Sequence, residues 1–350
     1  MRTRLALILL LLGCVDGAVA RADDATAPRS RDFSDAAGRH VAVPSRIDRV
    51  FAAGRPAAIT VYTIAPDKLL GWPQAFREEE KAYLPARYAA LPVLGGLFGR
   101  AKTGDLEALM VARPDIIVDI GSIDATHVAA ADRIQAQTGI PYVILDGSFE
   151  ATAALYQRLG ELLSEPAKAA ELADYARGTF ADMRDVLRRL PAEHPVRVYY
   201  ARGPDGLETA LAGSLNTEML GYVGAVNVAA DPSRNGLATV SPEQILAWDP
   251  EVVITLNDQF YRAIWSHPVW KSVAAVRNQR VYLAPSLPFG WFDLPASVNR
   301  LIGEHWLAAI LHPEIGGRDL RAATSEFYRR FYHVELTEPQ LDRLLRPSLP

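Results

Sequence analysis

The sequence predicts an α/β protein of two doubly wound, Rossmann-like lobes joined by a long α-helix, with a ligand cleft between the lobes. Three observations predict it. The segment Thr103–Ser122 (TGDLEALMVARPDIIVDIGS) is repeated at Thr239–Asp258 (TVSPEQILAWDPEVVITLND). Strand-like and helix-like patterns alternate on both sides of residues 149–190, which are themselves helical in pattern. The chain is also too long for one ordinary core and suits two domains.

In the repeat, Glu107 matches Glu243, Leu109–Met110 match Ile245–Leu246, Pro114 matches Pro250, and Ile116–Val118 match Val252–Ile254. Each copy reads as a capped helix, a proline stop and a buried strand. Asp105 and Ser241 are the N-caps, and Pro242 stands at the first helical position, where a missing N–H costs nothing. A fold built twice leaves a cleft between its halves, which is where ligands collect.

The elements follow in order. Residues 1–22 read as an export leader: Arg2 and Arg4, an apolar run Leu5–Leu12, and the A-x-A site Ala20-Arg21-Ala22. The run is far shorter than the ~20 residues of a membrane span. Leu11-Leu12-Gly13-Cys14 also resembles a lipobox, so lipidation at Cys14 is the alternative to simple cleavage. Residues 23–45 form an N-terminal extension, with a hairpin over Asp32–Val43 turning at Gly38. The first lobe spans 46–165: a strand at Arg49–Ala52, a helix from Gly54-Arg55-Pro56 to about Ile64, a short strand at Leu69–Gly71, the first repeat, a helix over Thr126–Thr138 and a strand at Tyr142–Leu145. Phe149–Leu163 is a helix, and Ser164-Glu165-Pro166 restarts a second one, so that 166–190 connects the lobes. Its apolar positions Leu172, Tyr175, Ala176, Phe180, Met183 and Leu187 have helical spacing. The second lobe spans 191–350: a strand at Arg197–Ala201, a helix at Leu215–Val223 capped by Ser214, the second repeat, a helix at Trp270–Val276, a strand at Arg280–Ala284, and closing helices at Leu294–Leu311 and Thr324–Tyr332.

Composition excludes several classes. Cys14 is the only cysteine, so a chain starting at Asp23 has no disulfide and no thiolate ligand. Loss of Arg2, Arg4, Arg21 and Asp16 with the leader moves the formal charge from −4 to −6. With no basic block, no nucleic-acid partner is expected. No G-x-S-x-G, Walker loop or G-x-G-x-x-G follows a strand, so no enzyme is expected. The seven histidines form no close pair, and only His127 falls near the cleft; a chelated metal or an oxyanion therefore fits better than a bare cation, and no metal site or cofactor is expected.

Several stretches together carry a family resemblance: DFSDAAGRHVAVPSRIDRV, the doubled E-x-[LI]-[LM]-x-x-x-P-[DE] unit, the central helix, SLNTEMLGYVGAVNVA, and HPVWKSVAAVRNQRVYLAP. Over roughly residues 31–335 the chain resembles the periplasmic substrate-binding proteins of ABC importers for iron–siderophores, haem and cobalamin. The resemblance implies a helix-linked, two-lobed binding protein, expected to be a periplasmic monomer, that hands its ligand to an inner-membrane ABC permease. It further implies permease docking by one glutamate on each lobe, here Glu107 and Glu243. Both stand in the first turn of a helix, where a carboxylate is favoured in any case; helix stabilisation alone is the plainer reading, and the equivalence of the two positions favours docking.

Ligands of doubly wound sheets gather beyond the carboxyl ends of the strands. That rule nominates Ala53-Gly54-Arg55, Trp72 and Gln74, the Gly95–Leu97 loop and Gly121-Ser122 on the first lobe. On the second it nominates Tyr200, Arg202, Ser214, Asn216, the stretch Asn257–Phe260, and the segment Leu287–Asp293 with Trp291 and Phe292. Arg55 and Arg202 hold comparable places in the two lobes, and guanidinium groups suit an anion. Arg300 lies in the helix that follows. Trp72, Tyr200, Phe260, Trp291 and Phe292 offer an aromatic lining. Each has a plainer reading: a solvent-facing ion pair for the arginines and core packing for the rings. The favoured ligand is an anionic metal chelate of the ferric-siderophore type. Cobalamin, haem, a nickel chelate and molybdate or tungstate are alternatives of the same fold, and a ligand sensor or hydrolase is the alternative of another class.

Overall fold

The computed structural model describes residues 30–97, 106–191, 195–231, 236–315 and 317–345. The leader with Cys14, the Asp105 cap and His194 lie outside the described residues.

Strands β1 (Ser30–Ser34) and β2 (His40–Pro44) form an antiparallel hairpin with Ser30 opposite Pro44. Gly38 supplies the left-handed residue of its turn, at φ 75°. The hairpin docks on the first lobe, where the Ala36 N–H donates to the Ile144 carbonyl at 2.9 Å and Arg39 reaches Asp132 at 2.8 Å.

The first sheet is parallel, in the order β3 (Val50–Ala52), β4 (Ile116–Gly121), β5 (Tyr142–Asp146), with Val50 opposite Ile116 and Ile117 opposite Tyr142. Ile116, Ile117, Val118 and Ile120 are all buried, as a strand covered on both faces requires. The strand expected at Leu69–Gly71 is reduced to a single bridge between Leu69 and Val50. The second sheet contains β6 (Val196–Ala201), β8 (Ala225–Asn227), β10 (Val252–Thr255) and β11 (Val281–Leu283), all parallel in the order β11-β10-β6-β8. Beside it, β7 (Glu208–Ala210) and β9 (Leu237–Thr239) pair as a short antiparallel ribbon that the sequence reading did not foresee.

The sequence repeat is a structural one. Its helices are Leu106–Ala112 and Pro242–Trp248, and the residues that end them, Arg113 and Asp249, both take positive φ before a proline. Arg49, at the start of the first lobe, donates to the carbonyls of Ala112 and Arg113; Arg197, its counterpart, donates to Trp248. A guanidinium at a helix C-terminus satisfies carbonyls that have no partner within the helix. Asp115 accepts the Asp48 and Arg49 N–H groups at 2.8 Å, and Glu251 accepts the Arg197 N–H at 2.9 Å. Ser241 and Gln244 form a reciprocal capping box on the second repeat helix.

Between the sheets runs the helix Pro166–Arg189, about 36 Å long at the α-helical rise. It buries Ala169, Leu172, Tyr175, Ala176 and Met183. The helix expected from Leu294 begins only at Arg300, because Leu294 has φ 62° and Pro295 follows it. Leu215–Val223 is likewise shorter, a 3-10 turn over Glu218–Val223. The last helices do more than close the second lobe. Leu320–Phe327 packs on the helix Arg300–Leu311, and the π-turn Tyr328–Tyr332 after it reaches the first lobe, where the Tyr62 hydroxyl donates to the Tyr332 carbonyl at 2.5 Å. A final helix, Glu338–Leu345, extends the return, with Gln340 donating to the Ala82 carbonyl at 2.8 Å. The chain end therefore straps both lobes to the central helix, through ring contacts such as Tyr175–Phe331 at 5.1 Å.

Candidate ligand-binding site

Both parallel sheets point their carboxyl ends at one cavity of about 470 Å³. After β3 the chain turns at Gly54, in extended backbone, and Arg55 opens the helix Arg55–Ile64 with Pro56 behind it. After β4 come Gly121 and Ser122, and after β5 come Gly147 and Ser148, all four on the cavity wall. The two glycines let the strand ends touch: a Cβ on Gly147 would stand 2.7 Å from the Gly121 Cα. The second lobe contributes Arg202 after β6, Asn216, and the irregular segment Asp293–Val298.

Asp293 ties that side of the cavity together. Its buried carboxylate accepts from Arg202, from the Tyr200 hydroxyl at 3.0 Å, from the Asn216 amide at 2.8 Å and from the Leu294 N–H at 2.6 Å. Four donors on one carboxylate offset the cost of burying it. Arg300, at the floor, is also buried. It pairs with Glu218 and donates to the carbonyls of Leu215 at 2.9 Å and Gly147 at 3.0 Å. Burial pulls its pKa below the usual arginine value, and Glu218 pulls the other way.

Arg55 differs from both. Its guanidinium lines the cavity and donates across it to the second-lobe Leu294 carbonyl at 3.0 Å. Among the described residues no carboxylate lies within ion-pair distance of it. Burial lowers its pKa, while the more distant Glu80 and Asp293 raise it. A half-buried guanidinium held only by a neutral carbonyl is a cation prepared for an anion.

The first-lobe wall also carries Asp119 and His127. Asp119 accepts the Tyr142 hydroxyl at 3.0 Å, and burial raises its pKa. The His127 ring sits 2.7 Å from Asp124, which caps the helix Ala125–Thr138. Among the described residues no group of three or more His, Cys, Asp or Glu side chains is arranged to hold a metal ion.

The three nominated arginines thus meet at the cavity, with Gln74 and Asn216. The nominated rings do not. Trp72 lies behind Arg55, wedged against Phe76 at 4.8 Å and Tyr62 at 5.4 Å, with its N–H on the Tyr88 carbonyl at 2.8 Å. Tyr200 is buried against Phe292 at 4.7 Å and spends its hydroxyl on Asp293. Phe260 packs on Trp270 at 5.0 Å, and Trp291 is fully buried with its N–H on the Tyr328 hydroxyl at 3.2 Å. In each case core rings or internal hydrogen bonds have taken the faces a ligand would use. The remaining wall is aliphatic, from Ile120, Leu155, Leu215 and Val298. Sequence reasoning missed Asp119, Thr152, Leu155 and the Gly147-Ser148 pair. The last had a legible signal, because Gly121-Ser122 ends the neighbouring strand in the same way.

The cleft, the paired parallel sheets and the connecting helix define a two-lobed binding protein. Residues 53–287, about two thirds of the chain, match the periplasmic binding protein family. The chain belongs to that family, as its motifs implied. An ABC transporter solute binding protein from Sulfurospirillum deleyianum superposes with a TM-score of 0.82 at 28% identity, over 90% of this chain and 99% of that one. The molybdate periplasmic binding protein MolA of Haemophilus influenzae, bound to molybdate, superposes with a TM-score of 0.72 at 21% identity, over 88% of this chain and 99% of that one. A Bacillus subtilis protein described as an uncharacterized ABC transporter substrate-binding lipoprotein, YvrC, is 23% identical over 190 residues. That match spans 52% of this chain and 59% of the curated relative's length. No helix among the described residues is long and apolar enough to cross a membrane.

Proposed function

We propose that the protein is the periplasmic substrate-binding component of an ABC importer. It captures an anionic metal chelate of the ferric-siderophore type in the interlobe cavity and delivers it unaltered to an inner-membrane permease. The observation that carries this reading is Arg55, the cavity-lining guanidinium whose protein partner is a neutral carbonyl. Arg202 and Arg300 are balanced by Asp293 and Glu218, so Arg55 is the arginine of the site without a carboxylate at ion-pair distance among the described residues. A cavity of about 470 Å³ falls in the range that encloses organic ligands. Export by the leader belongs to the same reading, and the description of the Bacillus relative as a lipoprotein supports acylation at Cys14 as the variant of it.

The test is calorimetric titration with ferric catecholate, ferric hydroxamate and ferric citrate chelates, cobalamin, haem, a nickel chelate and molybdate. Saturable 1:1 binding of an anionic chelate, weakened at least about tenfold in Arg55→Gln, is expected; the loss of one charge-assisted contact is of that size. Binding confined to neutral ligands, or turnover of the bound chelate, would overturn the reading. A second reading is an oxyanion, favoured by the absence of nominated rings from the wall and by the likeness to MolA with molybdate. Molybdate binding in preference to every chelate would select it.

A further inference from the structure

Two leucines that line the main cavity stay in solvent. Leu237, on β9, is 50% exposed, and Leu294 is 39% exposed. A lone exposed leucine is ordinary on a protein surface. These two continue an aliphatic wall whose other members, Ile120, Leu155 and Val298, are buried.

Leu294 is also held in an uncommon backbone conformation. Its φ of 62° is left-handed, a region that glycine or asparagine adopts far more readily. Among the described non-glycine residues with positive φ it is the only apolar one. Arg113, Ser164, Asp249 and His333 end helical segments, and Leu294 ends none. Two polar contacts fix it instead: the Asp293 carboxylate accepts its N–H at 2.6 Å, and Arg55 donates to its carbonyl at 3.0 Å. Such a conformation persists only where neighbours over-determine it, and it collects at ligand clamps. Because the Arg55 guanidinium touches the Leu294 backbone, an anion paired with Arg55 stands against Leu294.

We infer that Leu237 and Leu294 select the cargo: they cover an apolar flank that the anion presents beside its Arg55-bound head. Removing both leucines from water is favourable when the flank is apolar. A polar flank would give up its own hydration and find no hydrogen-bond partner on either side chain. This inference rests on the proposed function. It narrows the cargo from anionic chelates in general to those with a hydrocarbon edge, and it turns away from a bare oxyanion.

The test uses two ferric chelates of similar size and equal charge, those of 4-ethylcatechol and of 4-(hydroxymethyl)catechol, which differ by a methyl group against a hydroxyl on each ring. Ferric citrate and molybdate, whose surfaces are rich in oxygen, complete the set. Calorimetry with the full chain should give at least about tenfold tighter binding for the ethyl chelate than for the hydroxymethyl chelate. The double variant Leu237→Thr with Leu294→Asn should bring that ratio below about threefold. Asparagine tolerates left-handed backbone, so the carbonyl that Arg55 holds stays in place. Each single variant should lower the ratio in part, which keeps the test independent of the stability of the pair. Equal affinities in the parent, or a tenfold preference that survives in the variants, would overturn the inference and leave the proposed function standing. Loss of both catecholates from variants that melt as the parent does would also overturn it, since the leucines would then not discriminate. Ferric citrate bound more tightly than either catecholate would do the same. Molybdate bound more tightly than all three chelates, or binding of none of the four, would overturn both the inference and the proposed function.

Discussion

Arg300 and Glu218 form an ion pair at the floor of the cleft, and each partner also grips the first lobe. Arg300 donates to the Gly147 carbonyl at 3.0 Å, and the same Glu218 oxygen accepts the Phe149 N–H at 2.7 Å. The pair is therefore a brace between lobes as well as a wall of the site. Arg300→Met should cost about 3 kcal/mol in urea denaturation, at the low end for a broken buried pair because Glu218 keeps some solvent contact. Adding Glu218→Gln should recover part of that loss, as coupled partners do. A loss below about 1 kcal/mol would remove the brace.

Glu304 follows one turn along the same helix and is fully buried, with neither carboxyl oxygen partnered among the described residues. Burial drives its pKa well above 4.5, against the pull of Arg300 and with the push of Glu218. The sign is fixed: a raised folded-state pKa contributes stability below the unfolded value, and that contribution is lost as pH rises through the folded value. Glu304→Gln removes the dependence. Its melting temperature should match the parent near pH 4.5 and exceed it increasingly toward pH 8, by at least about 2 °C. His305, pushed down to about 4 by burial, acts in the opposite direction between pH 6.5 and 4. It is common to both proteins and cancels from the comparison.

Gly303, on that helix, faces the Trp291 segment. A Cβ there would collide with the Trp291 carbonyl oxygen and stand 3.0 Å from the Met219 methyl. Alanine is worth up to about 1 kcal/mol over glycine in a helix, but a backbone carbonyl cannot yield, and overpacking costs about 1–3 kcal/mol. Gly303→Ala should therefore lose about 1–2 kcal/mol in denaturation; a gain in stability would show that Trp291 is not packed as described.

Glu107 and Glu243 stand exposed in the first turns of the two repeat helices, one on each lobe. Hydrogen bonds from the Ser241 side chain and from its own backbone N–H hold Glu243 below the ordinary carboxylate pKa, so it is ionised. With the proposed permease as partner, Glu107→Ala with Glu243→Ala should leave ligand affinity intact and abolish uptake by cells. Unchanged uptake would end the docking assignment.

The fold was legible in the sequence where local signals repeat. Pro114 and Pro250 end equivalent helices, Arg55 and Pro56 open one after the first strand, and the spacing from Leu172 to Met183 marks the connecting helix. The site was legible in its arginines, because a strand's carboxyl end is a position in the sequence. The absence of the nominated rings from the cavity wall was not. Trp72 and Trp291 each stand beyond a strand-like stretch, but which face a ring presents depends on partners distant in the chain, Phe289 for Trp72 and Tyr328 for Trp291. Asp293 was visible only as the end of a turn; its four donors come from three separate segments. The return of Tyr328–Tyr332 to the first lobe had no local signal either, since the hydrogen bond to Tyr62 spans most of the chain.

The most direct test of an anion-carrying interlobe cavity is native mass spectrometry, with metal analysis, of the protein and its Arg55→Gln variant purified from the producing cell envelope. One equivalent of a metal with an anionic organic companion, retained by the parent and lost from the variant, is the predicted result. A neutral or cationic occupant, or the same occupancy in both proteins, would contradict it.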